Sequence, residues 1–131
     1  MSIRLDMVGL VTSNMSEALR FYTMLGLSFP EPDGPYVEAT TVGGLRISLN
    51  DEGMVKEIDP TWEKPVGQSI SLAFLCESPD AVDATYRQLQ EAGFVGHKAP
   101  WDAFWGQRYA IVDDPDGNHV DLFAPLPNSG G

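Results

Sequence analysis

His119 and Asp121 stand two residues apart in the stretch Asp114-Pro115-Asp116-Gly117-Asn118-His119-Val120-Asp121-Leu122. Alternate residues of a β-strand point to the same side, so this imidazole and this carboxylate would share a face. Such a pair can serve as a general base or as two ligands of a metal ion. A catalytic metal usually takes three protein ligands. The other histidine, His97, lies beside Lys98 in an expected loop and reads as solvated. His119 is therefore read first as a rim histidine on a strand. The single cysteine, Cys76, precedes Glu77, whose charge would raise a thiol pKa rather than lower it. It reads as a buried strand residue. No Gly-x-Ser-x-Gly motif or nucleophile–base pairing is present. Gly43-Gly44 reads as a turn, since no lysine follows in the phosphate-loop pattern.

The aromatic residues carry more. Trp101, Phe104 and Trp105 fall in one short segment, expected to be a loop before a strand. Large aromatics at the mouth of a cleft can stack on a planar ligand. The competing reading makes Trp101 and Phe104 core residues and gives Trp62 a role at a linker or dimer contact. Arg46, Ser48 and Asn50 share one face of an expected strand by parity.

The elements that must position these residues can be traced along the chain. Ile3 to Val11 reads as a strand. Ser13 and Asn14 offer a helix N-cap, and Glu17 follows Asn14 at capping-box spacing. Met15, Ala18, Leu19, Tyr22 and Leu25 recur at helical spacing, and Gly26 is a natural stop. A loop rich in Pro and Gly runs from Pro30 to Pro35. Tyr36 to Val42 and Leu45 to Asn50 read as strands joined at Gly43-Gly44. The second half repeats the plan. Ser69 to Leu75 is a strand, and Ser78-Pro79 a cap with proline at the first helical position. Val82, Tyr86 and Leu89 form an apolar stripe that Gly93 ends. Gln107 to Val112 and His119 to Phe123 are strands joined by a strong turn at residues 113–118. The polar segment Asp51 to Gly67, with Pro60 and Pro65, reads as a linker. The expected organisation is one domain over 1–131: module one about 1–50, linker about 51–67, module two about 68–126. The tail from Pro125 to Gly131 is expected to be loose.

Composition bounds the function classes. The chain has 131 residues, one domain's worth, with 43% hydrophobic and 21% charged residues, as in an ordinary soluble globular protein. Eight Lys and Arg against 19 Asp and Glu leave a net charge of −11. That charge repels phosphate backbones, which argues against nucleic-acid binding. It does not repel neutral or cationic small molecules. One cysteine allows no intrachain disulfide. No apolar run approaches the ~20 residues that cross a bilayer, and no signal-peptide pattern opens the chain. The expectation is a cytoplasmic protein without a membrane partner.

Several motifs together resemble the vicinal oxygen chelate superfamily of glyoxalases, extradiol dioxygenases, fosfomycin-modifying enzymes and bleomycin-binding resistance proteins. They are Leu5-Asp6-Met7-Val8-Gly9-Leu10 before the first helix, Phe21-Tyr22 with Leu25-Gly26-Leu27, and the ending from Asp114 to Leu122. The stretch from Gly96 to Val112, including Trp101, Phe104, Trp105 and Tyr109, looks most like the drug-sequestering branch. Within it, mitomycin-binding proteins resemble this stretch most, followed by proteins that bind anthraquinone-fused enediynes.

The resemblance implies an α+β fold of two βαβββ modules, whose curved mixed sheets form a cleft. It implies a homodimer, because in small members two chains complete the clefts. An open sheet edge in a monomer would also be a pairing hazard. The superfamily's enzymes hold a divalent metal with two His and two Glu. Here the matching positions are Met7, Ser48, Ser71 and Asp121, and a thioether and two hydroxyls are poor ligands for such ions. The expectation is therefore no metal, no cofactor and no catalytic residue. The expected ligand is a small-molecule antibiotic, sandwiched between Tyr36 and Trp105. Arg46, Ser48 and Asn50 would bond its carbonyls or hydroxyls, and Glu38 and Asp121 would accept bonds or attract an amine. Met7, Ser71, Trp101, Phe104 and Tyr109 complete the expected ligand-binding set. The alternative is a metal-dependent or metal-free enzyme of the same superfamily, with Asp121 or His119 as base.

Overall fold

A computed structural model describes residues 2–127, so the last part of the expected loose tail lies outside the described residues. The described chain divides between Lys64 and Pro65 into two compact units. The division falls inside the segment 51–67.

In the first unit, Asn14 caps a helix by accepting a hydrogen bond from the backbone N–H of Glu17 (3.1 Å). Helix α1 (Met15–Met24) runs until Gly26, whose φ of 93° suits a residue without Cβ. It buries Ala18, Phe21 and Tyr22, the two rings meeting edge to face at 4.9 Å. Strands β1 (Met7–Thr12), β2 (Tyr36–Thr40) and β3 (Arg46–Asp51) form an open sheet in the order β1-β3-β2. β1 is parallel to β3, and β2 is antiparallel to it. Val37, Ala39, Ile47 and Leu49 are buried.

The first ladder begins at Met7, later than the expected Ile3. A second departure is that this unit is βαββ rather than βαβββ among the described residues. The missing strand would occupy residues 27–34. Pro30 and Pro32 there have no N–H to give to a ladder. A third is helix α2 (Glu52–Ile58), which lies where a linker is expected. Asp51 caps it by accepting from Gly53 N–H (2.9 Å).

The second unit keeps all five elements. Strand β4 (Leu72–Leu75) is followed by helix α3 (Pro79–Glu91), capped by Ser78 and begun by Pro79. Strands β5 (Val95–Ala103), β6 (Gln107–Asp113) and β7 (His119–Pro125) complete an open sheet in the order β4-β7-β6-β5. Parity separates its two sides. Val82, Tyr86 and Leu89 of α3 are buried together with Ala110, Val112, Val120, Leu122 and Ala124 on the helix side. Tyr109, Ile111, Asp113, His119, Asp121 and Phe123 share the other side, because cross-strand partners face the same way.

β5 corrects an expectation. His97, Lys98 and Trp101 lie in a strand, and only Phe104 and Trp105 lie in the turn after it. Its register with β6 shifts twice, between Gly96 and Lys98 and between Lys98 and Trp101. Those irregularities, together with Pro100, break the alternation that marks a strand.

Gly96 lets β5 lie against α3. A Cβ there would stand 2.1 Å from the Tyr86 hydroxyl oxygen and 2.5 Å from its ring, and Tyr86 is 8% exposed. Gly96→Ala is therefore expected to cost about 1–3 kcal/mol, the usual penalty of overpacking. Urea unfolding would show this as a lower midpoint, and an unchanged midpoint would contradict it.

Candidate functional site

The side of the second sheet opposite α3 carries a continuous aromatic surface. Trp101 on β5 pairs in register with Tyr109 on β6, and Tyr109 with Phe123 on β7. Trp101 and Tyr109 meet at 5.5 Å, and Tyr109 stacks on Phe123 at 6.2 Å with the rings 28° apart. Trp105 stands edge-on to three of its neighbours: Phe104 at 5.0 Å, Tyr109 at 5.2 Å and Trp101 at 6.1 Å. Edge-to-face contacts of this kind suit the ring quadrupoles and hold each indole at a fixed tilt. Gln107 accepts a hydrogen bond from Trp105 Nε1 (2.7 Å). The Lys98 ammonium lies 4.1 Å from the centre of the Trp101 ring. Phe104 remains 97% exposed and Trp105 48%, so the surface is not consumed by the unit's own core.

Asp121 is tied into this surface. Its carboxylate accepts from the Tyr109 hydroxyl at 2.5 Å. Burial first, and then the bond to Asp121 and its charge, push the Tyr109 hydroxyl up to about 12. The folded value lies above the ordinary 10.0. The proton is thus held more tightly in the folded state, and its contribution to stability is complete below pH 10 and lost as the pH rises through about 12. Asp121→Asn removes the charge and leaves the burial. Tyr109 is expected to titrate at a lower pH in that variant, followed by the near-ultraviolet absorbance of the phenolate. An unmoved titration would mean that the carboxylate does not act on it.

The first unit offers a polar surface. Cross-strand pairing sets Tyr36 opposite Asn50 and Glu38 opposite Ser48. The Tyr36 hydroxyl donates to Glu38 (2.6 Å) and lies 3.3 Å from the Met7 sulfur. Arg46 bonds Glu38 (2.7 Å) and Asp6 (2.5 Å). The hydrogen bonds from Tyr36 and then Arg46 hold the Glu38 carboxyl below the usual carboxylate range, and Arg46 does the same for Asp6. The bond to Glu38 raises Tyr36. Ser48 is fully buried and accepts from Asn50 Nδ2 (3.0 Å), which also reaches the Leu10 carbonyl (3.2 Å). The expected set Met7, Tyr36, Glu38, Arg46, Ser48 and Asn50 is thus one network. Parity places Arg46 with Ser48 and Asn50, but its guanidinium is engaged by two carboxylates.

The residues at the four metal positions do not fit a divalent ion. In the first unit, Met7 brings a thioether beside a phenol, and Ser48 a buried hydroxyl that already accepts a bond. In the second, Ser71 precedes β4 and is exposed, and Asp121 alone brings a carboxylate, one oxygen of which accepts from Tyr109. One carboxylate does not make a set of three ligands.

Trp62 belongs to neither surface. It lies under the Lys56 ammonium, 5.8 Å away. Two contributors, Lys98 and Phe123, are missed by sequence reasoning. Phe123 follows Asp121 by two, so the parity that joins His119 to Asp121 would have found it. His119 bonds Asp113 and stacks on His97.

Two tandem units, each with a helix on one side of an open mixed sheet, define a class of α+β protein. Residues 4–122 match the Glyoxalase/Bleomycin resistance protein/Dioxygenase superfamily, and the chain belongs to it. An uncharacterized protein of Mycobacterium bovis is 30% identical over 128 residues, covering 89% of this chain and 80% of its own length. A glyoxalase/bleomycin resistance protein/dioxygenase family enzyme of Burkholderia phytofirmans shares the fold, with a TM-score of 0.83 at 21% identity, over 95% of this chain and 100% of that one. A further member, from Nocardioides, has a TM-score of 0.75 at 24% identity, over 100% of this chain and 89% of that one.

Proposed function

We propose that this protein sequesters a planar aromatic or quinone natural product, without catalysis, as a cytoplasmic antibiotic-resistance protein working as a homodimer. One observation carries the reading: the aromatic surface of Trp101, Phe104, Trp105, Tyr109 and Phe123, with two of its rings well exposed. Stacking faces bind flat ligands and do no chemistry on them. Polar groups at the surface's edge, Asp121 and Lys98, would orient carbonyls or amines. The net charge of −11 favours neutral or cationic ligands. The poor metal donor set at Met7, Ser48, Ser71 and Asp121 also supports binding over metal catalysis.

The test is a thermal-shift screen over a mitomycin, an anthraquinone-fused enediyne and a bleomycin. A ligand at 100 times its Kd adds about 2.7 kcal/mol to stability, which moves the melting temperature by several degrees. A rise with a planar quinone is the expected result. A panel that leaves the melting temperature in place would overturn the reading.

A further inference from the structure

Residues on the same side of the second sheet, at the β6–β7 turn, form a second cluster. We propose that His97, Asp113 and His119 bind a divalent first-row transition metal such as Zn²⁺. None of the three is one of the four superfamily positions, and the proposal does not depend on the drug-binding reading.

The chain has two histidines, and the fold stacks them on each other. Their ring centres are 4.0 Å apart and their planes 27° apart. His119 Nδ1 is 2.5 Å from Asp113 Oδ1. One ligand atom from each of the three residues falls within 4.8 Å of the others. Nitrogen ligands of a tetrahedral ion bound at about 2.0–2.1 Å are separated by roughly 3.4 Å. Small side-chain rotations therefore close the set. His97 is exposed, so solvent leaves its ring room to turn off the His119 stack.

The backbone prepares this arrangement. His97 sits at the register shift between Gly96 and Lys98, and such a bulge re-aims a side chain. Asp113 and His119 are direct partners across β6 and β7. The turn between them is fixed by Asp114, whose carboxylate accepts from Asp116 N–H (2.9 Å), Asn118 N–H (2.8 Å) and Asn118 Nδ2 (2.9 Å). Gln68 holds His119 from both sides, accepting from its N–H and donating to its carbonyl (2.9 Å).

The chemistry follows from the donors. Before an ion binds, the Asp113 contact puts the proton on Nδ1 of His119; on binding, that proton moves to Nε2 and the ion takes its place between Nδ1 and the carboxylate. Imidazole suits Zn²⁺, Cu²⁺, Ni²⁺ and Fe²⁺. Two imidazoles and one carboxylate leave a coordination position for water or an exogenous ligand.

The experiment is titration of tag-free, chelator-treated full chain with Zn²⁺ alone by calorimetry, with bound metal counted after dialysis. The Co²⁺ complex is read by its visible d–d absorption. One ion per chain is expected. His97→Ala and His119→Gln should each weaken binding by tenfold or more, and Asp113→Asn should weaken it measurably. Unchanged far-ultraviolet circular dichroism checks their folding, and His97→Ala, at an exposed position, keeps the test decisive if another variant misfolds. Absence of Zn²⁺ uptake, equal uptake by the histidine variants, or loss of binding in Asp121→Asn alone would overturn the proposal.

Discussion

Trp105→Ala is expected to weaken binding of a planar quinone by at least tenfold, about 1.4 kcal/mol or more. Trp105 is the centre of the aromatic surface, touching Trp101, Phe104 and Tyr109 edge-on, and it is half exposed before any ligand arrives. A stacked aromatic pair contributes roughly 0.5–1.5 kcal/mol beyond the area it buries. The alanine variant loses that term together with the apolar area the indole would have covered, at about 25 cal/mol per Å². The fold has little stake in this side chain, since its own bonds are one surface hydrogen bond and ring edges. Quenching of tryptophan fluorescence gives the affinity of the parent protein. Calorimetry gives that of the variant, where the principal reporter is gone. Equal affinities would mean that the ligand does not stack on Trp105.

The two long helices were legible because their ends are written in local chemistry. Asn14 with Glu17, Ser78 with Pro79, Gly26 and Gly93 each satisfy or terminate backbone bonds within a few residues. The turn at residues 113–118 was legible for the same reason. Helix α2 was not, because a short helix whose described residues include none fully buried leaves no apolar stripe. β5 was hidden by its two register shifts and its polar run.

The site divides in the same way. Strand parity alone groups Arg46, Ser48 and Asn50, and joins His119 to Asp121. What parity cannot show is which partner a side chain finds across the sheet. Asp6 and Glu38 reach Arg46 from other strands or loops, and Asp113 and His97 reach His119. Those pairings depend on register and bulges, which belong to the folded sheet. His97, read as a solvated loop residue, is the clearest case: its role follows from a bulge that its neighbours in sequence do not announce.

Sequestration and catalysis differ in the chemical fate of the ligand. The protein is incubated with a large molar excess of the quinone that gives the thermal shift, then denatured, and the drug is recovered and counted. Under sequestration one drug molecule is bound per chain, all of it is returned chemically intact, and free drug stays unchanged however long the incubation runs. The expectation rests on the proposed reading of the aromatic surface as a set of stacking faces. Recovery of altered drug in amounts exceeding the protein would rule sequestration out and leave Asp121 and His119 as candidates for the base.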